Sequence, residues 1–111
     1  MIELTILNRL KTKLSVPVYL EEPEIKPDRY VLFEKLGSDK KNNLLSASFA
    51  FQSYAESLYQ AVVLNELTKA AVDSLIELDE IASVKINSDY NFTDTTTKRY
   101  RYQAVYNFNH Y

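Results

Sequence analysis

From Leu45 to Gln52 apolar and polar positions alternate. Leu45, Ala47, Phe49 and Phe51 share one side, and Ser46, Ser48, Ala50 and Gln52 the other. A period of two with two aromatics predicts a buried strand. The period then changes. Ser53 is followed three residues later by Glu56, the spacing of a capping box, in which the hydroxyl accepts from an amide of the first turn and the carboxylate reaches back to the cap amide. Tyr59, Val63, Leu67, Ala71 and Leu75 then recur at i+4, and Val62, Ala70 and Ile76 widen the row into a helical stripe. No Gly or Pro interrupts the chain from Ser38 to Tyr111, so one helix running to about Leu78 is expected.

The flanking segments follow the same logic. Ile2, Ile6, Leu10 and Leu14 at i+4 spacing, with Leu7 beside them, predict a helix over residues 1–15. Glu3 near its start and Arg9, Lys11 and Lys13 near its end suit the macrodipole. Pro17 forces Val16 into extended geometry and stops that helix. Val16–Leu20 then reads as a short edge strand, since Pro17 cannot donate to a ladder. Glu21–Asp28, with Pro23 and Pro27, is a loop. Tyr30–Leu36 alternates as a strand, and Gly37–Asn43 reads as a polar turn leading into the central strand, so the two form an antiparallel hairpin. Ile81–Phe92 regains period two, with Val84, Ile86, Ser88, Tyr90 and Phe92 on one face. Thr93–Lys98 is a turn, and Arg99–Tyr111 is the last strand. The order α, short β, β, β, α, β, β predicts an α+β fold: a largely antiparallel sheet of about four strands with two helices packed on one face. A chain of 111 residues makes one domain, 1–111.

Composition narrows the function classes. With one Gly, neither a GxGxxG fingerprint nor a P-loop can be written. With no Cys, a disulfide framework and a thiolate metal site are excluded. A net charge of −2 gives no global pull toward nucleic acid or anionic membrane. No apolar run reaches membrane-span length, and Glu3, Asn8, Arg9 and Lys11 break up any signal-peptide core near the start. Nine Tyr and no Trp suit half-buried or partner-facing surface as well as they suit a small core.

The residues that could carry chemistry do not converge. His110 is the only histidine, and it lacks partners for a triad or a zinc site. Glu66, Asp73, Glu77, Asp79 and Glu80 read as a solvated helix face, with a cation-holding row as the alternative. Asn91-Phe92-Thr93 matches a glycosylation acceptor by chance. Lys98, Arg99 and Arg101 interleave with Tyr100 and Tyr102, a composition that suits single-stranded nucleic acid. Strand alternation, however, puts the arginines opposite those tyrosines, so no single stacking platform is expected. No reaction class, metal or cofactor is expected. The interface candidates are the loop acids Glu21, Glu22 and Glu24, the turn residues Asp39, Lys40 and Lys41, and the basic group Lys98, Arg99 and Arg101.

One family shares this arrangement. Val18-Tyr19 with Pro23, the strand Tyr30–Phe33 ending in Gly37-Ser38, the run Ser46–Ala55, the long helix after it and the closing Arg101–Tyr106 together resemble the small tail-completion proteins of siphovirus-type bacteriophages, also called tail terminators or head–tail joining proteins. The resemblance covers nearly the whole chain and includes no catalytic signature. It implies a sheet flanked by helices on one side. It also implies a ring, commonly a hexamer, on the head-proximal end of the tail tube, assembled in the bacterial cytoplasm and retained in the virion. Such a ring ends polymerisation of the tube protein and presents a surface to the head-completion or stopper protein, with DNA passing through the channel. A neighbouring neck component, a host-directed protein-binding module and a nucleic-acid binder stay open beside it.

Overall fold

The structure is a computed structural model describing residues 1–111. Helix α1 (Ile2–Lys13) is followed by strands β1 (Val18–Tyr19), β2 (Tyr30–Lys41) and β3 (Leu44–Ala55), helix α2 (Leu58–Asp73), and strands β4 (Ile81–Asn91) and β5 (Tyr100–His110). The expected α+β order is present, with five strands where about four were expected. The sheet order is β1-β2-β3-β5-β4. All pairings are antiparallel except the edge pair β1–β2. The long strands of twelve and eleven residues set the longest dimension, 44 Å against 25 and 24 Å across.

β3 is the centre, flanked by β2 and β5. Its register places Phe51 between Phe33 and Ala104, and Phe49 between Lys35 and Tyr106. Phe33, Phe49, Phe51, Tyr106 and Phe108 form one aromatic cluster with ring centroids 5.5–6.3 Å apart, a range in which edge and offset contacts are favourable. Ile2, Ile6 and Leu10 of α1 and Leu64, Ala71 and Val72 of α2 cover that cluster from one side.

Several boundaries differ from the sequence expectation. The Ser53/Glu56 box does not form. β3 continues to Ala55, Ser53 is buried with its hydroxyl 3.1 Å from Thr68 Oγ1, and Glu56 pairs with Arg29. The N-cap of α2 is Ser57, whose Oγ accepts from the Gln60 amide at 3.1 Å. The buried pull of β3 outcompetes a local cap when a second serine four residues on does the same work. α2 also stops at Asp73, and a 3₁₀ turn, Ser74–Glu77, replaces its expected last turn. The polar stretch Gly37–Lys41 is strand, and the turn is only Asn42-Asn43, with φ of 53° and 66°. Two consecutive positive φ values define the tight hairpin turn that matches strand twist, and Asn tolerates that region better than other non-Gly residues.

β4 does not keep one face. Its pairing shifts between Ile81 and Ser83 and between Ile86 and Ser88. Beyond the second shift Asp89 turns to the helix side, where it accepts from Asn65 at 2.7 Å, while Tyr90 takes the opposite side and accepts from Gln103. A β-bulge exchanges the two faces in this way.

Ser57→Ala should lower stability by about 1 kcal/mol as a lost cap. Phe51→Ala should cost about 3–5 kcal/mol as a core truncation. Urea unfolding followed by far-UV circular dichroism reads both.

Candidate functional site

The sheet face away from the helices carries the residues with most chemistry. Register brings Tyr30 of β2, Tyr54 of β3 and Arg101 of β5 into one row. The Tyr30 and Tyr54 rings stack at 4.6 Å with planes 9° apart. The Arg99 guanidinium sits 4.6 Å from the Tyr54 ring, and that of Arg101 sits 4.3 Å from the Phe92 ring. Both are cation–π distances. Arg101 donates from Nη1 to Tyr54 Oη at 2.8 Å and from Nε to the Phe92 carbonyl at 2.6 Å. Beyond Tyr54 the row continues as a buried amide pair, Gln52 Nε2 donating to Gln103 Oε1 at 2.8 Å.

The turn after β4 aims Arg99 into this corner. Asp94 accepts from the Thr96 amide at 3.0 Å and the Thr97 hydroxyl at 2.9 Å, and it bridges to Arg99 through the backbone. Lys98 then takes φ 56°, which turns the chain back. Glu22, from the proline-containing loop, closes the corner. It accepts from the Tyr30 hydroxyl at 2.6 Å and pairs with Arg99 at 3.2 Å, and Arg99 also contacts Tyr30. Partial burial acts to raise the Glu22 carboxyl, but the hydrogen bonds from Tyr30 and Arg99 overcome it and hold the group below the usual carboxylate range. Burial, reinforced by the Glu22 carboxylate, pushes the Tyr30 phenol well above its ordinary value, so it stays a donor.

The expected site residues therefore divide. Glu22, Arg99 and Arg101 meet, with Lys98 beside them at the mouth of a cleft also lined by Lys26, Tyr30 and Tyr54. Glu21 and Glu24 are exposed on the same loop and form no ion pair. Asp39, Lys40 and Lys41 lie exposed at the far end of β2, about 30–36 Å away along the strand. The separation of arginines from tyrosines holds only within β5. Cross-strand neighbours, Tyr54 and Phe92, supply the aromatic partners, and these can be identified only once register is known.

The acidic row on α2 disperses into separate contacts. Glu66 pairs with Lys69 at 3.1 Å, Asp73 accepts from the Tyr106 hydroxyl at 3.0 Å, and Glu77 pairs with Arg9 at 3.2 Å. No group of three or more His, Cys, Asp or Glu side chains is placed to hold a metal ion.

A second surface departs from expectation. The row Tyr59–Val63–Leu67 points outward, with Tyr59 73% and Leu67 54% exposed. α2 instead buries Ala61, Leu64, Asn65, Thr68, Ala71 and Val72. The helix therefore presents Tyr59, Val63 and Leu67 to solvent and packs Leu64 and Val72 on the sheet together with small and polar residues. Asn65 Oδ1 is buried there without a partner. The small-residue row Ala61, Asn65, Thr68 and Val72 was the available sequence signal for that face.

Compared with family models and with curated proteins, the chain matches none.

Glu22 has a folded pKa below its unfolded value. Its ionised form therefore adds stability at neutral pH, and that stability is lost as pH falls through the depressed value. Glu22→Gln should lower the urea midpoint at pH 7, and the gap to wild type should close below about pH 4. Urea titrations at pH 7 and in acid test this.

Proposed function

We propose that the chain is a structural subunit of a phage tail: a ring at the head-proximal end of the tube that ends tube growth and joins tail to head. The observation that carries this reading is the outward apolar ridge of α2, with Leu58 and Ala70 alongside Tyr59, Val63 and Leu67. A contiguous apolar ridge of this kind on a small domain fits a surface that another protein covers. The α+β element order, which agrees with what the tail-completion resemblance implies, supports the same reading. The partners under this proposal are further copies of the chain, the major tail tube protein and the head-completion or stopper protein.

The role is steric. A capping ring has to match the tube end on one side and offer it no further addition site on the other, and this requires shape without bond-making. In this proposal the Arg99–Arg101 corner lies near the channel and meets passing DNA only through charge. Its arginines are already engaged by Glu22, Tyr54 and the Phe92 carbonyl, which limits any hold on phosphate.

Electron microscopy of particles assembled without the protein tests this. Overlong or ragged tails are expected. Normal-length tails detached from heads would move the assignment to a joining or stopper protein. Unaltered particles, with the protein recovered in a one-to-one complex with a host protein, would overturn it in favour of a host-directed module.

A further inference from the structure

The outward ridge of α2 borders an apolar cleft. Lys13 and Leu14 at the end of α1 and Leu67 and Ala70 of α2 line a space of about 440 Å³. Leu14, Val16, Val63 and Leu67 continue it toward Arg29. One free cation stands at the rim: Lys13 makes no ion pair within the chain, whereas Arg29 is neutralised by Glu56. A ligand for this cleft needs an aliphatic side chain with a carboxylate beside it.

The chain itself carries such a segment. Ile25 is 87% exposed, more than any other large apolar residue except Met1. It follows Glu24 and lies near Glu21, neither of which has an ion-pair partner. The loop is held in place. Pro23 and Pro27 fix its φ angles, and Glu22 ties it to Tyr30 and Arg99. An apolar tip on a pre-ordered loop loses little entropy on docking.

We propose that the loop Glu21–Ile25 of one copy docks into the α1–α2 cleft of the next, Ile25 entering beside Leu67 and the loop acids meeting Lys13. The proposal rests on the ring reading and names its subunit contact. Donor and acceptor are different surfaces, so every copy uses both, and the contact is head-to-tail, the kind that closes a ring. A contact built on one loop falls short of the ~1,200–2,000 Å² of a stable pair, so assembly depends on closure or on a template. The unpaired outer edge of β2 is a weaker place for a neighbour. Lys35, Lys40 and Lys41 and the pairing shift between Lys35 and Gly37 blunt it against strand addition.

The absence of Cys makes the test free of background. Ile25→Cys and Leu67→Cys are combined in one chain, and the concentrated protein is treated with a mild oxidant and run on a non-reducing gel. A ladder of dimer, trimer and larger species is expected from the double variant, with each single variant staying monomeric. Adding Lys13→Glu should cut the yield about fivefold, and a further Glu24→Lys should restore it. A dimer from Leu67→Cys alone would overturn the proposal in favour of an α2 face that pairs with itself. A yield indifferent to Lys13→Glu would overturn it as well. The same double variant is then assembled on tails. Rings seen there by electron microscopy without cross-links would sink this contact and leave the ring reading intact. Cross-linked ladders with no protein at tail ends would keep the contact and remove the tail assignment.

Discussion

The burial of β3 on both faces of the sheet is the constraint on which the rest depends. Seven of its residues, Phe49–Ala55, form an unbroken buried run. On the helix side Phe49 and Phe51 each contribute about 1.5–3 kcal/mol by leaving water. On the other side Gln52 and Tyr54 are covered only by neighbouring side chains, and each hydrogen bond there adds about 0.5–1.5 kcal/mol net. The aromatic side therefore supplies most of the stability. The polar side adds little energy but penalises slippage, since moving the register by one residue would separate Gln52 from Gln103 and strand the Gln52 amide donor and the Gln103 carbonyl acceptor.

This constraint explains which parts of the fold were legible in the sequence. Alternation through Leu45–Gln52 and i+4 spacing through Ile2–Leu14 reflect burial directly, so the elements and their order could be read. The cap could not. Ser53 and Ser57 both precede helix-forming residues, and tertiary burial of the strand decides between them. The polar stretch Gly37–Asn43 reads as one turn, whereas the chain reverses only at Asn42-Asn43. In the structure nothing lies within 4 Å of where a Gly37 Cβ would stand, and its φ is not positive. The orientation of α2 was hidden for a related reason: periodicity identifies the apolar side of a helix but does not indicate whether the domain or a partner covers it.

The interface candidates show the same limit. Glu22 is far in sequence from Arg99 and Arg101, and it meets them only because the β2–β3–β5 register sets Tyr30 and Tyr54 beside the arginines. Once joined, they do two kinds of work. The corner pins the 20–29 loop to the sheet, and by pinning it holds Glu21, Glu24 and Ile25 toward solvent. Under the proposed docking, this basic and aromatic group positions the loop that meets the next copy, and the outward ridge of α2 is the matching half.

The central claim is that this chain works as a shaped subunit whose exposed apolar surface is covered only in an assembly. A reconstruction of the head–tail junction at side-chain resolution tests it most directly. The account predicts a closed ring of copies on the tube end, with Tyr59, Val63 and Leu67 buried between neighbours. A junction whose density is filled without this chain, or a ring in which that ridge of α2 faces solvent, would contradict it.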